Sequence, residues 1–335
     1  MTDSSTSSKF SHTNPKTKFT PFTLNTPSGR GVTGIEFVPG SAKSTTEDIK
    51  PLIVALHGAT CFSGYWDLDE EHTASLAASA LGLPFVAIDR PGYVGTDSVD
   101  LDGSTYQLAT ARWIQDEILP ELWQKYGVPN GCSAVCLMCH SLGCCVGITI
   151  ASLHARAITK AQYPLAGLII SGVGSRLRRS ASVVENPAEL DINILPPVLQ
   201  RDLSEQVPLM LGDPELELYN KAISSSLASQ AGSMTREELH GGIMFMVTEA
   251  GIPFVESVQC SVLYSLAEHD HAGYCTQEEA RNYAGMFKNS RRVDWSLVRN
   301  APHAIEWSRA GKGWYFHCMG WALEVTADYV IRQQQ

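Results

Sequence analysis

Six segments of strand length recur along the chain, the first five of them largely apolar, and each stops at a turn or at a chemically active residue. They are "PLIVALHG", "LPFVAIDRPG", "SAVCLMCH", "LAGLIISGVG", "VQCSVLYSLAEHD" and "RRVDWSLVRNAPH". A continuous apolar run bounded by turn signals predicts a strand covered on both faces. Between them lie segments with helical spacing: "DEEHTASLAASALG", "STYQLATARWIQDEILPELWQKYG", "LGCCVGITIASLHAR", "TQEEARNYAGMFKNS" and "GWALEVTADYVIRQQ". Ser104 is the expected cap of the second of these and Gly127 its end, while Thr276 and Glu279 form a capping box on the fourth. Ahead of the alternation, "FTPFTLNT" and "VTGIEFVP" flank "PSGRG", which predicts a hairpin, and a polar linker, "GSAKSTTEDIKP", follows.

Strand and helix in alternation imply a parallel sheet with right-handed crossovers. The alternation breaks between residues 176 and 251, where prolines, acidic patches and helix-like segments such as "PELELYNKAISSSLA" and "REELHGGIMFMVTEA" carry no clear strand. The expected organisation is therefore a tail over 1–17, an α/β core over 18–175 and 252–335, and a helical lid inserted over 176–251.

Composition adds exclusions. With 44 % apolar and 18 % charged residues, the 335-residue chain has an ordinary globular make-up. A net charge of −10 argues against a nucleic-acid or anionic-membrane partner, because phosphate surfaces reward clustered Lys and Arg. The short basic run from Arg176 to Arg179 reads as a solvated loop edge or as a carboxylate-binding rim. The Ser/Thr-rich start has no apolar signal region, and no apolar run approaches membrane-spanning length, so a cytoplasmic protein is expected. Five of the nine cysteines (Cys132, Cys136, Cys139, Cys144 and Cys145) crowd into one strand and the next helix. That pattern reads as small core residues in a reducing compartment, not as the paired knuckles of a metal site, and no metal or cofactor is expected.

Candidate chemistry sits at the strand ends. Ser141 follows an apolar strand and opens a glycine-rich helix, the setting of a nucleophile elbow, with Gly143 as the small residue two positions on. Cys139 occupies the position two before it, where the G-x-S-x-G pattern has glycine; the alternative is that Ser141 only caps the helix. A nucleophilic serine needs a base, and the base a carboxylate that fixes its tautomer. His303 ends the last strand. Asp270 ends the strand before it, with Glu268 as the alternative acid. His57 and His140 adjoin the turns and read as structural. Oxyanion donors are expected from the amides of Ala59 or Thr60 after "LHG" and of Leu142 at the helix start. Tyr65, Trp66 and Met244, with "PLMLG" and "GGIMFMV" in the lid, suggest contacts to an apolar small-molecule substrate, and Arg176 marks the pocket mouth.

Through "LHGAT", "AIDRPGYVGTD", "CHSLG", "AEHD" and "APHAIEW", spread over about 50–325, the chain resembles the α/β-hydrolase superfamily. More narrowly, "LHGATCFSGYWD", "DRPGYVGTD" and "APHAIEWSRAGKGWY" look like a fungal branch often found with polyketide and toxin biosynthesis. The resemblance implies an eight-stranded, mostly parallel sheet with a lid after the sixth strand. It carries nucleophile, acid and base onto Ser141, Asp270 and His303, and the oxyanion donors onto Ala59 and Leu142. Cys139 and Ala267 depart from the usual glycines. The superfamily also holds lyases, cyclases, acyltransferases and triad-bearing receptors, so the fold does not name the reaction. A serine at this position excludes the aspartate-nucleophile chemistry of epoxide and haloalkane hydrolases. Cleavage of an ester-type acyl bond is the expected activity; a biosynthetic cyclase, lyase or acyltransferase is the alternative, and a ligand-binding protein a third. The oligomeric state stays open.

Overall fold

A computed structural model describes residues 18–40, 49–157, 162–177, 189–200 and 202–335. The N-terminal segment 1–17, most of the polar linker, and Arg178 and Arg179 lie outside the described residues. Eight strands form one sheet in the order β1-β2-β4-β3-β5-β6-β9-β10. They are β1 (Thr20–Asn25), β2 (Gly31–Phe37), β3 (Pro51–Leu56), β4 (Phe85–Ile88), β5 (Ala134–His140), β6 (Leu165–Ser171), β9 (Ser261–His269) and β10 (Val293–Pro302). β1 and β2 pair antiparallel, as the glycine turn between them predicts, and β2 is antiparallel to β4; every other pairing is parallel.

Every residue of β3, β4, β5 and β6 is buried, which is why these segments read as unbroken apolar runs. Their side chains alternate between two layers. Leu52, Val54 and Leu56 enter the layer of α2 (Tyr106–Trp113), α4 (Leu142–Arg156) and α9 (Gln277–Ala284). Ile53 and Ala55 enter the layer of α1 (Ser75–Leu81) and α10 (Gly311–Gln333). The strands' carboxyl ends converge on one edge, and that edge holds Ser141, Asp270 and His303.

Several element boundaries differ from expectation, each for a local reason. α1 starts only at Ser75, because the Asp69 carboxylate accepts from the amides of Glu71 and His72 and folds that stretch into a turn. The cap of α2 is Thr105, not Ser104, its hydroxyl accepting from the Leu108 amide at 3.3 Å. The predicted long helix is interrupted. Wide turns at Ile114–Ile118 and Trp123–Gly127 flank α3 (Leu119–Leu122), and the chain turns out at Gly131, where φ is +66°. Pro120 lacks an amide proton and removes one rung of the ladder there. α10 begins at Gly311, nine residues earlier than its pattern suggests, because burial of Trp314, Tyr315, Cys318 and Met319 outweighs the helix penalty of its glycines. His317 therefore lies within it.

Between β6 and β9 the insertion contains α5 (Leu203–Leu211), α6 (Ile223–Leu227), α7 (Arg236–Val247) and α8 (Ile252–Ser257). It also contains an antiparallel ribbon, β7 (Val198–Gln200) with β8 (Ser233–Thr235), where no strand was expected. Three-residue strands are too short to show a period in the sequence. The insertion covers the sheet edge where Ser141 lies. Among the described residues no helix is long and apolar enough to cross a membrane.

Candidate active site

The turn from β5 into α4 forces Ser141 to φ +51° and ψ −130°, a conformation that costs a non-glycine residue about 1–3 kcal/mol. Two backbone bonds hold it: the Ser141 amide donates to Ser171 O at 2.8 Å, and the Cys144 amide donates to Ser141 O at 2.8 Å. Gly143 is obligatory, since a Cβ there would lie 2.4 Å from His57 O. Cys139 fits in place of the usual glycine because α4 carries Gly147 opposite it; a Cβ at Gly147 would sit 2.4 Å from Cys139 Sγ. The Ser141 side chain makes no helix-capping hydrogen bond.

It faces His303 instead. Ser141 Oγ and His303 Nε2 are 3.1 Å apart, and His303 Nδ1 is 2.7 Å from Asp270 Oδ2. A carboxylate at Nδ1 fixes the proton there and leaves Nε2 as the acceptor for the serine hydroxyl. Asp270 Oδ1 in turn accepts from the Ala272 amide at 2.7 Å. Both His303 and Asp270 are buried. Glu268 points elsewhere, its carboxylate bound by Arg299 and by the Asn300 amide at 2.9 Å. The serine, histidine and Asp270 thus form one hydrogen-bonded chain, and Glu268 stands outside it.

Beneath this chain lies a buried polar layer. His140 is stacked on Tyr65, with ring centroids 4.7 Å apart, and packs against the His303 ring at the same distance. Tyr65 donates to Glu306 Oε2 at 2.6 Å, and Trp314 Nε1 donates to Glu306 Oε1 at 2.9 Å. Burial raises the Glu306 carboxyl above its ordinary range. Burial, reinforced by the neighbouring His303 and His57, holds His140 well below the usual histidine value. Tyr65 and Trp314 thus engage both oxygens of Glu306, which leaves Asp270 as the carboxylate hydrogen-bonded to His303.

The loop after β3 completes the front of the site. Thr60 takes φ +56°, and Ala59, Thr60 and Leu142 line the same cavity as Ser141. Among the described hydrogen bonds neither the Ala59 nor the Leu142 amide has an acceptor, whereas the Thr60 amide donates to Tyr93 Oη at 3.3 Å. The loop is tied down by Arg90, which is fully buried. Arg90 Nε donates to His57 O at 2.7 Å and Nη2 to Gly58 O at 3.1 Å, while its amide donates to His57 Nε2 at 3.0 Å. His57 Nδ1 donates to Gly58 O at 2.7 Å, so the structural reading of this histidine holds. Arg90 is neutralised from the insertion. Glu238 Oε1 on α7 lies 2.6 Å from Arg90 Nη2, and Tyr93 Oη donates to Glu238 Oε2 at 2.7 Å. Burial opposes the Arg90 charge, but Glu238, Tyr93 and Tyr106 together outweigh it and hold the guanidinium above its ordinary value.

The cavity over Ser141 measures about 100 Å³. Leu209, Met210, Met234, Leu239, Ile243 and Met246 from the insertion give it an apolar wall, and Leu266, Val173 and Gly172 line the sheet side. Arg176 stands in its lining, paired with Glu279 at 2.9 Å and lying 4.6 Å over the Tyr274 ring. Three contact expectations are corrected. Tyr65 and Trp66 are fully buried core residues, packed on His140, Trp307, Phe85 and Tyr315. Met244 packs with Leu190, Leu195 and Ile243 in a separate cluster, and its neighbours Ile243 and Met246 reach the cavity instead. An aromatic or Met pattern marks burial without saying what is buried against it.

The nine cysteines are all free thiols. Burial pushes Cys136 and Cys145 up to about 12, so they serve as packing residues. Missed by sequence reasoning were Arg90, Glu238 and Gln206. Arg90 stands at the end of "AIDRPG", a strand end that could have drawn attention; Glu238 is the last position of a T-x-x-E cap signature, where it looks like a helix start.

Residues 53–310 match the model of the alpha/beta hydrolase family. The chain belongs to that family. No curated protein sequence matches it. Solved structures of similar fold include a soluble variant of monoglyceride lipase from Saccharomyces cerevisiae in complex with a substrate analogue (TM-score 0.60, 14 % identity, 95 % of this chain and 97 % of that one). A thioesterase domain from the curacin biosynthetic pathway is another (TM-score 0.54, 14 % identity, 89 % and 98 %). So is a haloalkane dehalogenase from Bradyrhizobium elkanii (TM-score 0.55, 13 % identity, 93 % and 99 %). These likenesses speak for the α/β-hydrolase fold alone, and the reaction has to be argued from the site.

Proposed function

We propose that this α/β-hydrolase cleaves an ester-type acyl bond through an acyl-enzyme on Ser141. The observation that carries the reading is the hydrogen-bonded chain Ser141–His303–Asp270, with the serine raised on a strained turn into an apolar cavity. In the first step Ser141 Oγ attacks the acyl carbon while His303 Nε2 takes its proton. Asp270 stabilises the imidazolium that results. The developing oxyanion accepts from the Ala59 and Leu142 amides, the latter at the N-terminus of α4. Collapse expels the alcohol with the proton from His303, and a water activated by the same histidine releases the acid.

An acyl group of a few carbons fits the cavity of about 100 Å³ as it stands, a cavity of about 150 Å³ being one that binds a benzene ring. Larger groups require the methionines of the insertion to repack, which their unbranched side chains permit. The narrower likeness to fungal enzymes of polyketide and toxin biosynthesis points to a small-molecule acyl substrate of that chemical kind. A second reading, ring closure or acyl transfer from the same acyl-enzyme, is favoured by the apolar wall, which disfavours water against a nucleophile carried by the substrate.

Hydrolysis of short-chain nitrophenyl esters tests the proposal. Turnover that vanishes in Ser141→Ala, with labelling of the native protein by a fluorophosphonate probe, is the expected result. Absence of both turnover and labelling overturns it, and turnover of a natural substrate that survives Ser141→Ala moves the assignment to acid–base chemistry without an acyl-enzyme.

A further inference from the structure

We propose that Gln206 reads a hydroxyl group on the acyl chain of the substrate. Gln206 lies on α5 of the insertion, and with Leu209 and Met210 it forms the helix face that lines the cavity over Ser141. It is 1 % exposed, and neither its Nε2 nor its Oε1 has a hydrogen-bond partner. A buried primary amide with both ends unpaired is unfavourable, and such groups are retained where something else completes them. Leu209 and Met210, which share its helix face toward the cavity, are apolar. The C-terminal end of the same face is anchored next to the catalytic histidine, Met210 O accepting from the Ala304 amide at 2.8 Å. Gln206 stands one helical turn further along and lines the same cavity as Ser141 and His303.

The chemistry of the amide selects the partner. Nε2 needs an acceptor and Oε1 needs a donor, at adjacent positions. A hydroxyl supplies both. A carboxylate only accepts and would leave Oε1 unmet, and an ammonium only donates and would leave Nε2 unmet. The positive charge that would suit a carboxylate, on Arg176, is already matched by Glu279. An apolar chain bearing a neutral hydroxyl therefore satisfies the wall and the amide together, whereas a plain chain leaves the amide as it is.

This inference rests on the proposed acyl hydrolysis, and its test separates the two. Nitrophenyl esters with chains of four to eight carbons, plain or hydroxylated at carbons three to six, are compared for kcat/KM with native protein, Gln206→Leu and Gln206→Met. In parallel, the corresponding methyl esters are titrated against Ser141→Ala by ligand-observed NMR, which requires no turnover. One hydroxylated isomer is expected to exceed its plain parent by about 10- to 100-fold in the native protein, and both Gln206 variants to bring that ratio near one. Absence of any preference in the native protein overturns the inference, as does a preference that both folded Gln206 variants keep. A binding preference without turnover retires the hydrolase reading and keeps Gln206 as the reader of the hydroxyl.

Discussion

Replacing Glu238 by glutamine tests whether the insertion holds the loop that is proposed to bind the oxyanion. The substitution keeps the shape of the side chain and removes its charge, leaving the fully buried Arg90 guanidinium without its counter-ion 2.6 Å away. Removing one partner of a buried pair costs about 3–5 kcal/mol. For a chain of this length that corresponds to a fall in Tm of about 4–7 °C. A catalytic consequence should accompany it well below the melting range, because Arg90 also donates to the carbonyls of His57 and Gly58, immediately before Ala59. Outright loss of one oxyanion donor costs about 100- to 1,000-fold in kcat, so a loosened loop should cost about tenfold, with KM for a short ester little changed. The double variant Arg90→Met/Glu238→Leu separates the two roles. Apolar replacements of a buried pair remove the uncompensated charge but leave His57 O and Tyr93 Oη without these partners, so Tm should recover in part while kcat stays low. A Glu238→Gln protein with native Tm and native kcat, or a double variant with fully restored kcat, would refute the positioning argument.

Three further outcomes follow from the same geometry. Gly147→Ala forces its new methyl against Cys139 Sγ and should destabilise by about 1–2 kcal/mol after the helix gain of alanine is subtracted; in a double-mutant cycle Cys139→Gly should relieve most of that cost, and purely additive urea midpoints would contradict it. Asp270→Asn should lower kcat by about 10,000-fold on a nitrophenyl ester, and Glu268→Gln by only a few-fold; the reverse order would move the acid to Glu268. Acid should weaken the fold. His57 and His140 are held neutral in the native state by burial, so the unfolded chain binds more protons and stability is lost as pH falls below about 6.5, by up to about 1.4 kcal/mol per pH unit for each histidine. Glu306, raised by burial, acts in the opposite sense and shallows the slope. Urea midpoints between pH 7 and 5 should therefore show a flatter line for His140→Gln, and an unchanged slope would exclude the histidine as its source.

What could be read from the sequence was what burial and strand ends impose locally. β3, β4, β5 and β6 announce themselves because both faces are covered, so the apolar run has no gaps. Ser141, Asp270 and His303 were legible as a set because a parallel sheet brings the ends of successive strands to one edge, whatever separates them in the chain. The insertion was not legible in the same way. Its ribbon strands pair over only three residues, and of its helices the one that stood out was α7, within "REELHGGIMFMVTEA". Arg90 and Glu238 are 148 residues apart, and no local pattern links them. Gln206 is further still from reach, since what distinguishes it is the lack of a partner, a property that exists only once the chain is folded. The aromatic pair Tyr65–Trp66 was misplaced for a related reason: following the oxyanion loop put both residues near the site, but which side of the sheet they enter depends on Glu306 and Tyr315, more than two hundred residues away.

Cys139 shows how such a departure from a motif can be understood. The glycine two residues before an elbow serine keeps Cβ out of a crowded turn, so the requirement is for volume and not for identity. In this chain the side chain is present and the space is made on the opposite surface, at Gly147, in the second turn of the helix that the serine introduces. The two sites lie eight residues apart and exchange the same missing methyl. A search for G-x-S-x-G alone rejects this elbow, while a search that accepts a small residue at the first position together with a glycine on the facing turn of the helix retains it. The strained Ser141 backbone, held by Ser171 and Cys144, is then reached by a different distribution of the same steric allowance.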